Sequence, residues 1–487
     1  MATALRLTRR QALALAAGGA AGAASLRLVT LDLGGSSPSA QAGGLTAGPG
    51  GAWRSPLADP RGAAAHLLRR AGFAHTGADL DRAAGMSYAD LVDSVVAGQP
   101  EAMPAPPKPT DHASVVQTWF AHMATTQAQF AERMTLFWHG HLTSDFRKAN
   151  GLPLVLLQNT TYREKGLTDL RSLLLAATYD PLMGRYLDLQ ESTAAAPNEN
   201  YARELMELFT LGVGNYTETD VREGARALSG IRSQLVDAGG RPAKPPAPDR
   251  SSPTGLQDYD AKLDQLAREG YTYRGVVVPR QHDQGTKTLL GRTGNLGPEE
   301  AVDAILAQDA CATHVASKAL LFFATPQPSP GYVARVAAAL RSSRYDIRTM
   351  MGAIFRDAEF LAAGNYRSLV RSPADLMVAT MRILAQPDIS AVAVTAGLAM
   401  DQVLYDPPTV AGWPVNGGWV SSSALLARLN FAQEVVHRGG AMPDPAAAVQ
   451  THLDGIVGDD TARVFDASPS VPDRWYAILC SPEFQLK

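Results

Sequence analysis

Apolar residues recur with the period of an α-helix along most of the chain between residues 60 and 230. The clearest stretches are residues 61–71, 88–97, 112–133, 167–177 and 200–211. Similar patterns continue through residues 331–341, 346–355, 373–384 and 422–437, and the Pro-Glu-Glu at 298–300 is typical of a helix start. The pattern predicts a mainly α protein, with a single large multi-helix domain over residues 61–487.

Three segments depart from the helical pattern. Residues 271–278 are rich in β-branched and aromatic side chains, and residues 287–290 follow after a polar turn. Together they predict a small β-hairpin over residues 271–291, with His282 and Asp283 near its tip. Residues 234–253 are dense in proline, which favours an exposed loop. Residues 405–419, with several prolines and glycines, predict an irregular aromatic loop.

Composition narrows the class of protein. The 487 residues include 44 Lys and Arg against 47 Asp and Glu, a net charge of −3, which argues against a general nucleic-acid binder. Two cysteines, Cys311 and Cys480, exclude a disulfide-rich scaffold and a cysteine-ligated zinc cluster. A single bridge between the two cysteines is left open by their spacing.

The first residues resemble a twin-arginine signal peptide. Arg9 and Arg10 precede a short Ala/Gly-rich run, which is too weakly apolar for a membrane span, and small residues at 40–42 suit cleavage. We expect residues 1–42 to be this signal and 43–60 a flexible linker. The mature protein is then exported, to the periplasm or the medium, without a membrane span. An Ala-rich disordered leader is the alternative.

His139 and His141 form the first candidate for chemistry. In a non-helical segment, alternate histidines project to the same side, a spacing that is used in metal sites. His-x-His is a weak signal by itself. An alternative interpretation is a pair of histidines at a helix end that contact backbone carbonyls.

Glu204 and Glu207 form the second candidate, on the predicted helix 200–211. They are i,i+3 neighbours, and two carboxylates this close repel unless a cation, a metal or a shared proton lies between them. Arg203 is adjacent. The pair is therefore a candidate for acid/base chemistry or metal binding. On this segment alone, a solvated charged face is the simpler interpretation.

His282, Asp283 and Lys287 form the third candidate, within six residues at a turn. Asp283 could orient His282 as a base or ligand, and Lys287 could neutralise an anionic group. A polar hairpin turn is the alternative. The sequence has no phosphate-binding Gly-Lys-Ser/Thr loop, no Gly-x-Ser-x-Gly elbow and no His-Glu-x-x-His helix, so nucleotide, serine-hydrolase and zincin chemistry lose their usual support.

Several segments together resemble the bacterial domain-of-unknown-function family 1800. The matching segments are residues 65–73, 138–141, 198–212, 216–221, 282–287 and 410–414. The resemblance runs from about residue 62 to the C-terminus, with one departure where Ile231 follows Gly230 in place of the usual aromatic residue. The family has no established activity. The resemblance implies export, and a neighbouring exported protein similar to the alkaline phosphatase and sulfatase superfamily.

The resemblance also implies that these polar motifs share one site, since they recur together. We expect one cleft to contain His139, His141, Glu204, Glu207, His282 and Asp283. The resulting hypothesis is an exported hydrolase that acts on cell-envelope or extracellular material. Glu204 or Glu207 would be the acid/base or a ligand, and the three histidines would bind a divalent metal or shuttle protons. Arg203 and Lys287 would stabilise negative charge.

Two rival hypotheses remain. The first is a non-catalytic partner or assembly factor for the co-exported protein, with Trp413 and Trp419 in an interaction loop. The second is a buried ion network that organises the helices and consists of Arg203, Glu204, Asp220 and Arg226.

Overall fold

The computed structural model describes residues 55–487, apart from residues 110, 150, 151, 245, 248, 250 and 253. The predicted signal peptide and most of the predicted linker lie outside these residues. Within the last part of that linker, Pro56–Ala58 is a 3-10 helix and an α-helix begins at Pro60. Among the described residues, no helix is both long and apolar enough to cross a membrane.

The chain divides into two compact units, each made of separate stretches of sequence. The first unit contains the described residues up to Val92, Asp357–Asp401 and Pro414–Lys487. The second contains Asp93–Arg356 and Gln402–Trp413. The helix Tyr88–Ala97 crosses the boundary between them. That residues 61–487 form a single folding domain stays a prediction.

Both units are built mainly of helices, which confirms the predicted fold class. The helices of the first unit are Pro60–Ala71, Gly77–Ala84, Pro373–Leu384, Ser390–Ala399, Ser422–His437, Pro445–His452, Asp459–Ala467, Val471–Cys480 and Pro482–Gln485. Those of the second are His112–Thr125, Gln129–His141, Phe146–Ala149, Leu152–Lys165, Leu170–Thr178, Pro181–Tyr186, Asn200–Glu204, Glu218–Ala227, Gly255–Arg268, Pro298–Leu306, Asp309–Phe323, Pro330–Ser342 and Ile347–Arg356. A π-helical turn, Leu205–Thr210, extends one of them.

The described part of the second unit also contains five short strands: β1 (Ile231–Val236), β2 (Pro242–Ala243), β3 (Thr272–Val277), β4 (Lys287–Leu289) and β5 (Arg292–Gly294). They form an antiparallel sheet of order β2-β1-β3 and a separate β4-β5 hairpin. The predicted loop 234–253 thus contains the end of β1 and all of β2. Pro242 is tolerated there because β2 is an edge strand.

The predicted hairpin over residues 271–291 is wrong in its pairing, although strands occur at both predicted positions. β3 pairs with β1 across six residues, and a 3-10 helix at Pro279–Gln281 follows β3 directly. β4 pairs instead with β5 around Leu290 and Gly291, which both have positive φ (50° and 86°). Two consecutive positive φ values are what a tight two-residue hairpin turn requires, so the partner nearest in sequence is favoured.

A buried ion pair lies in the helical core of the second unit. Glu132, only 1% exposed, accepts hydrogen bonds from Arg163 Nε and Nη2, both at 2.7 Å, and from Trp119 Nε1 at 2.5 Å. His122 Nε2 lies 3.3 Å from the carboxylate. Burial alone would raise the pKa of Glu132, but the bonds and charge of Arg163, together with His122, lower it to about 2. The cluster joins the helices His112–Thr125, Gln129–His141 and Leu152–Lys165.

The first unit also contains a buried ion pair, formed by arginine side chains with Asp454. Arg69 forms a bidentate pair with Asp454 at 2.8 and 2.7 Å, and Arg367 donates to the carbonyls of Leu453 and Ile456. These bonds satisfy both buried charges and the backbone of the adjoining loop. Cys311 and Cys480 are both buried and free, so they form no bridge.

Replacing Glu132 by Gln should destabilise the protein by about 3–5 kcal/mol, because it leaves the Arg163 guanidinium buried without its counter-charge. Urea unfolding at pH 7 measures this. Asp303→Asn is the matched control: it also breaks an arginine–carboxylate pair, with Arg171, but an exposed one, so we expect a loss below about 1 kcal/mol.

The same pair makes the stability depend on pH. The folded-state pKa of Glu132 lies below its ordinary value, so its contribution is present above about pH 4.5 and is lost as the pH falls towards 2. The difference between the native protein and Glu132→Gln should therefore shrink between pH 4.5 and pH 2. A difference that stays constant over this range would contradict the assignment.

Candidate functional site

The two candidate glutamates lie where a helix changes its type. Asn200–Glu204 is α-helical, and the next six residues form the π-helical turn that contains Glu207. The Leu211 N–H donates to the Met206 carbonyl at 2.7 Å, one residue further back than an α-helix allows. Leu205, Met206 and Phe209 are buried, whereas both glutamates are half-buried. Single π-helical turns often occur at functional sites.

Glu204 and Glu207 have different surroundings. Glu207 accepts a hydrogen bond from the Tyr216 hydroxyl, and partial burial with the Glu207 charge raises the pKa of Tyr216 to about 12. Partial burial, followed by the nearby charge of Glu207, raises the pKa of Glu204. Glu204 therefore keeps its proton to a higher pH than an ordinary glutamate. Tyr216 was not among the candidates from the sequence, although it lies nine residues from Glu207.

Arg203 is paired away from these carboxylates. It makes a bidentate contact with Glu218, at 2.8 Å for each bond, and a 3.2 Å contact with Glu199. The reason is local, since Thr217 caps the helix Glu218–Ala227 and so places Glu218 at its first turn. The Arg203 side chain is partly exposed, but it is already paired with Glu218. It could bind a ligand only if it shared this contact or lost it.

The predicted ion network of Arg203, Glu204, Asp220 and Arg226 is not the one that the structure contains. Arg226 pairs with Glu223 and Asp283, and Asp220 completes the capping box with Thr217. The Asp220 carboxylate accepts a hydrogen bond from the backbone at the start of this helix, so it does not pair with Arg226. Arg226 pairs instead with Asp283 in the neighbouring turn.

His141 lies in a helix, which corrects the expectation of a non-helical His-x-His segment. The helix Gln129–His141 continues through Gly140, so alternate residues point in different directions. The His141 Nε2 bonds the Phe209 carbonyl at 2.9 Å, as in the alternative interpretation. His314, which no sequence signal marked, bonds the Leu208 carbonyl in the same way at 2.9 Å. Burial and the neighbouring His314 lower the pKa of His141 to about 3.

His139 is buried among aromatic rings. Its Nε2 accepts a hydrogen bond from the Tyr405 N–H at 3.1 Å, so this nitrogen carries no proton. The rings of Trp119, Tyr405 and Trp413 lie 5.0–5.2 Å from the imidazole, centre to centre. Burial lowers the pKa of His139 to about 3. His139 is neutral at pH 7, and its accepting nitrogen is occupied by the backbone of the aromatic loop.

The third candidate group forms a compact turn. Asp283 pairs with Arg226 at 2.7 Å, and this bond lowers the pKa of Asp283. The buried Lys287 Nζ donates to the Asp283 and Gly285 carbonyls at 2.6 and 2.9 Å and lies 3.2 Å from Asn295 Oδ1. These three acceptors match the three protons of an ammonium group. Burial lowers the pKa of Lys287.

His282, in the same turn, is directed to the backbone rather than to Asp283. Its Nδ1 lies 2.9 Å from the Ser229 carbonyl, whereas the Ser229 hydroxyl accepts the Asp283 N–H at 2.9 Å. Asp283 therefore does not orient the imidazole. Serine at position 229 secures the turn through both of its oxygens.

Hydrogen bonds arrange the predicted residues in three sets rather than in one. The first set is the π-helical turn with Glu207, together with Glu204, which directly precedes it, and His141, which bonds its Phe209 carbonyl. The second is the turn with His282, Asp283 and Lys287 beside Arg226, and the third is His139 in the aromatic cluster. Among the described residues, no group of three or more His, Cys, Asp or Glu side chains is placed to hold a metal ion. The catalytic and metal-binding roles stay predictions.

The predicted aromatic loop contacts the end of the helix Gln129–His141, which we call the histidine helix. The Thr143 hydroxyl donates to the Val410 carbonyl, and Gly412 approaches the helix end so closely that a Cβ atom would lie 2.3 Å from the Gly140 carbonyl oxygen. Trp413 packs on His139, and Trp419, in the first unit, is only 6% exposed. A partner could reach Trp419 only if that side chain left its packing.

Comparison with known proteins identifies a family without a known activity. The model of the family described as "Protein of unknown function (DUF1800)" matches residues 66–486. No curated protein and no solved structure matches the chain.

Replacing Gly412 by Ala should destabilise the protein by about 2–3 kcal/mol, since Gly412 has φ +82° and its Cβ would collide with the Gly140 carbonyl. Gly140→Ala is the control: nothing lies within 4 Å of a Cβ there and alanine favours a helix more than glycine does, so we expect no loss of stability and a gain of at most about 1 kcal/mol. Thermal unfolding of both variants measures the difference. Equal melting temperatures would show that the loop is not anchored in this way.

Proposed function

The chain belongs to the DUF1800 family, and we propose that it is a hydrolase in which Glu204 and Glu207 act as an acid/base pair. The observation that carries the proposal is the unequal environment of two i,i+3 carboxylates: Glu204 ends an α-helix, and Glu207 lies in the π-helical turn that follows. Glu204 has a raised pKa, and Glu207 accepts the Tyr216 hydroxyl. Two carboxyl groups whose surroundings differ in this way can divide the roles of acid and base.

In the proposed mechanism, Glu207 is the base that takes a proton from the attacking water. The Tyr216 hydroxyl holds its carboxylate in place through one oxygen. Glu204, which retains its proton to a higher pH, is the acid that donates it to the leaving group. Arg203 directly precedes Glu204 in the helix and stabilises developing negative charge if it is released from Glu218.

The substrate class and compartment belong to the same proposal. Arg9 and Arg10, before the Ala/Gly-rich run, support export. An exported hydrolase meets cell-envelope or extracellular polymers, and these are the substrates to test first. Binding of a co-exported partner similar to the alkaline phosphatase and sulfatase superfamily stays a second prediction.

The test is activity of the full chain purified from the periplasm, on a panel of chromogenic glycosides, esters and phosphate esters and on isolated cell wall. Glu204→Gln and Glu207→Gln should each lower kcat by about 10²–10⁴-fold. Their melting temperatures should stay close to that of the native protein, because both side chains are half-buried.

Glu299→Gln is the matched control. Glu299 also accepts a tyrosine hydroxyl, that of Tyr179 at 2.7 Å, but outside the site, so activity should stay within about twofold of native. The proposal fails if the panel is not hydrolysed, or if both site variants keep native activity.

The pH profile separates the two roles. The native profile should fall on both sides of its optimum, since the base must be ionised and the acid protonated. Glu207→Gln should lose the acidic limb of the profile, and Glu204→Gln the alkaline limb. The opposite pattern would exchange the two roles, and unchanged limbs would contradict both.

A further inference from the structure

We infer that His141 and His314 are positioning residues that hold the π-helical turn and so direct Glu207. The functional part of this inference, the direction of Glu207 for catalysis, rests on the proposed function. The hydrogen bonds from the two histidines to the turn do not depend on any substrate. Both histidines reach carbonyls at the end of the turn, from two different helices.

The reason lies in the backbone of the turn. A helix end leaves its last carbonyls without an N–H partner, and a buried carbonyl without a hydrogen bond is costly. Near the end of this turn, the Leu205 carbonyl accepts the Thr210 hydroxyl, and the Met206 carbonyl accepts the N–H groups of Leu211 and Gly212. Two carbonyls further along the turn, those of Leu208 and Phe209, are the ones that His314 and His141 bind.

The two imidazoles must be in one particular tautomer. A carbonyl oxygen only accepts, so Nε2 carries the proton in both rings. Burial, followed by neighbouring positive or titratable groups, lowers the pKa of both histidines, with Lys318 close to each. Both rings are therefore neutral Nε2–H donors at pH 7, and they do not place a positive charge beside Glu207.

Each donor stands on a rigid support. His141 lies at the end of the helix that Glu132 anchors, with its ring parallel to Phe137 at 5.8 Å between centres. His314 lies in the helix Asp309–Phe323. Gly212 allows its approach, because a Cβ there would lie 2.8 Å from His314 Nδ1. Glu207 directly precedes the two held carbonyls, so their position sets the direction in which its side chain leaves the turn.

The test uses paired variants of the full chain. His141→Phe and His314→Phe keep a ring but lose the donor, whereas His141→Gln and His314→Gln keep an N–H donor. His437→Phe is the control, since His437 is exposed and contacts the carbonyl of Gln433 in its own helix. Hydrogen exchange of peptides that cover residues 205–212 should become about five- to tenfold faster in the Phe variants of positions 141 and 314. It should stay near native in the Gln variants and the control.

Activity separates positioning from simple stabilisation. If the histidines position Glu207, the Phe variants should lower kcat by about 10–100-fold, leave KM within about twofold and shift the acidic limb of the pH profile. The Gln variants should restore most of kcat. Loss of activity only in proportion to unfolded protein, with an unchanged pH profile, would overturn the positioning role.

A measurement on the native protein remains decisive if a variant does not fold. Nitrogen-15 NMR of labelled histidines should show His141 and His314 as neutral Nε2–H tautomers at pH 7. The Nδ1–H tautomer or an imidazolium ring at either position would overturn the inference. If the tautomers and exchange rates are as expected but no substrate is hydrolysed, only the proposed function fails.

Discussion

The interaction on which the second unit depends is the buried pair of Glu132 and Arg163. A carboxylate removed from water is stable only with its charge and lone pairs satisfied, and here Arg163 and Trp119 satisfy them. Trp119, Glu132 and Arg163 lie on three different helices. The hydrogen bonds that the buried Glu132 carboxylate requires therefore fix the positions of all three helices relative to one another. The helix Gln129–His141 ends about two and a half turns beyond Glu132, so the ion pair also sets where its terminal imidazoles lie.

The end of this helix is linked by a hydrogen bond to the backbone of the candidate site. His141 bonds a carbonyl of the π-helical turn, and the turn carries Glu207 beside Glu204. The polar residues that first suggest metal chemistry thus act largely on main-chain groups, at Phe209, Tyr405 and Ser229. What remains for chemistry is the carboxylate pair, which is the part of the site with unequal surroundings.

The helical fold could be predicted because apolar residues repeat along each helix with a period that burial requires. Strand pairing could not, since the partner of β3 lies about forty residues earlier, beyond a proline-rich stretch. The carboxylates at 204 and 207 were visible as an i,i+3 pair. The role of His314 was not, because its contact with Leu208 joins residues 106 positions apart and no motif records it. The close approach of the aromatic loop to the Gly140 carbonyl, which requires glycine at position 412, was not visible either, because it joins segments that are distant in sequence.

The path of the chain has a consequence for how the protein is made. Residues 402–413 belong to the second unit, although the stretches on either side belong to the first. The backbone N–H of Tyr405 donates a hydrogen bond to His139. Tyr405 is therefore synthesised long after the helices that it packs against. During synthesis the second unit stays incomplete until more than four hundred residues have left the ribosome. A fragment that ends at residue 356 would lack the cover over its histidine helix, and no continuous stretch of the gene encodes either unit alone.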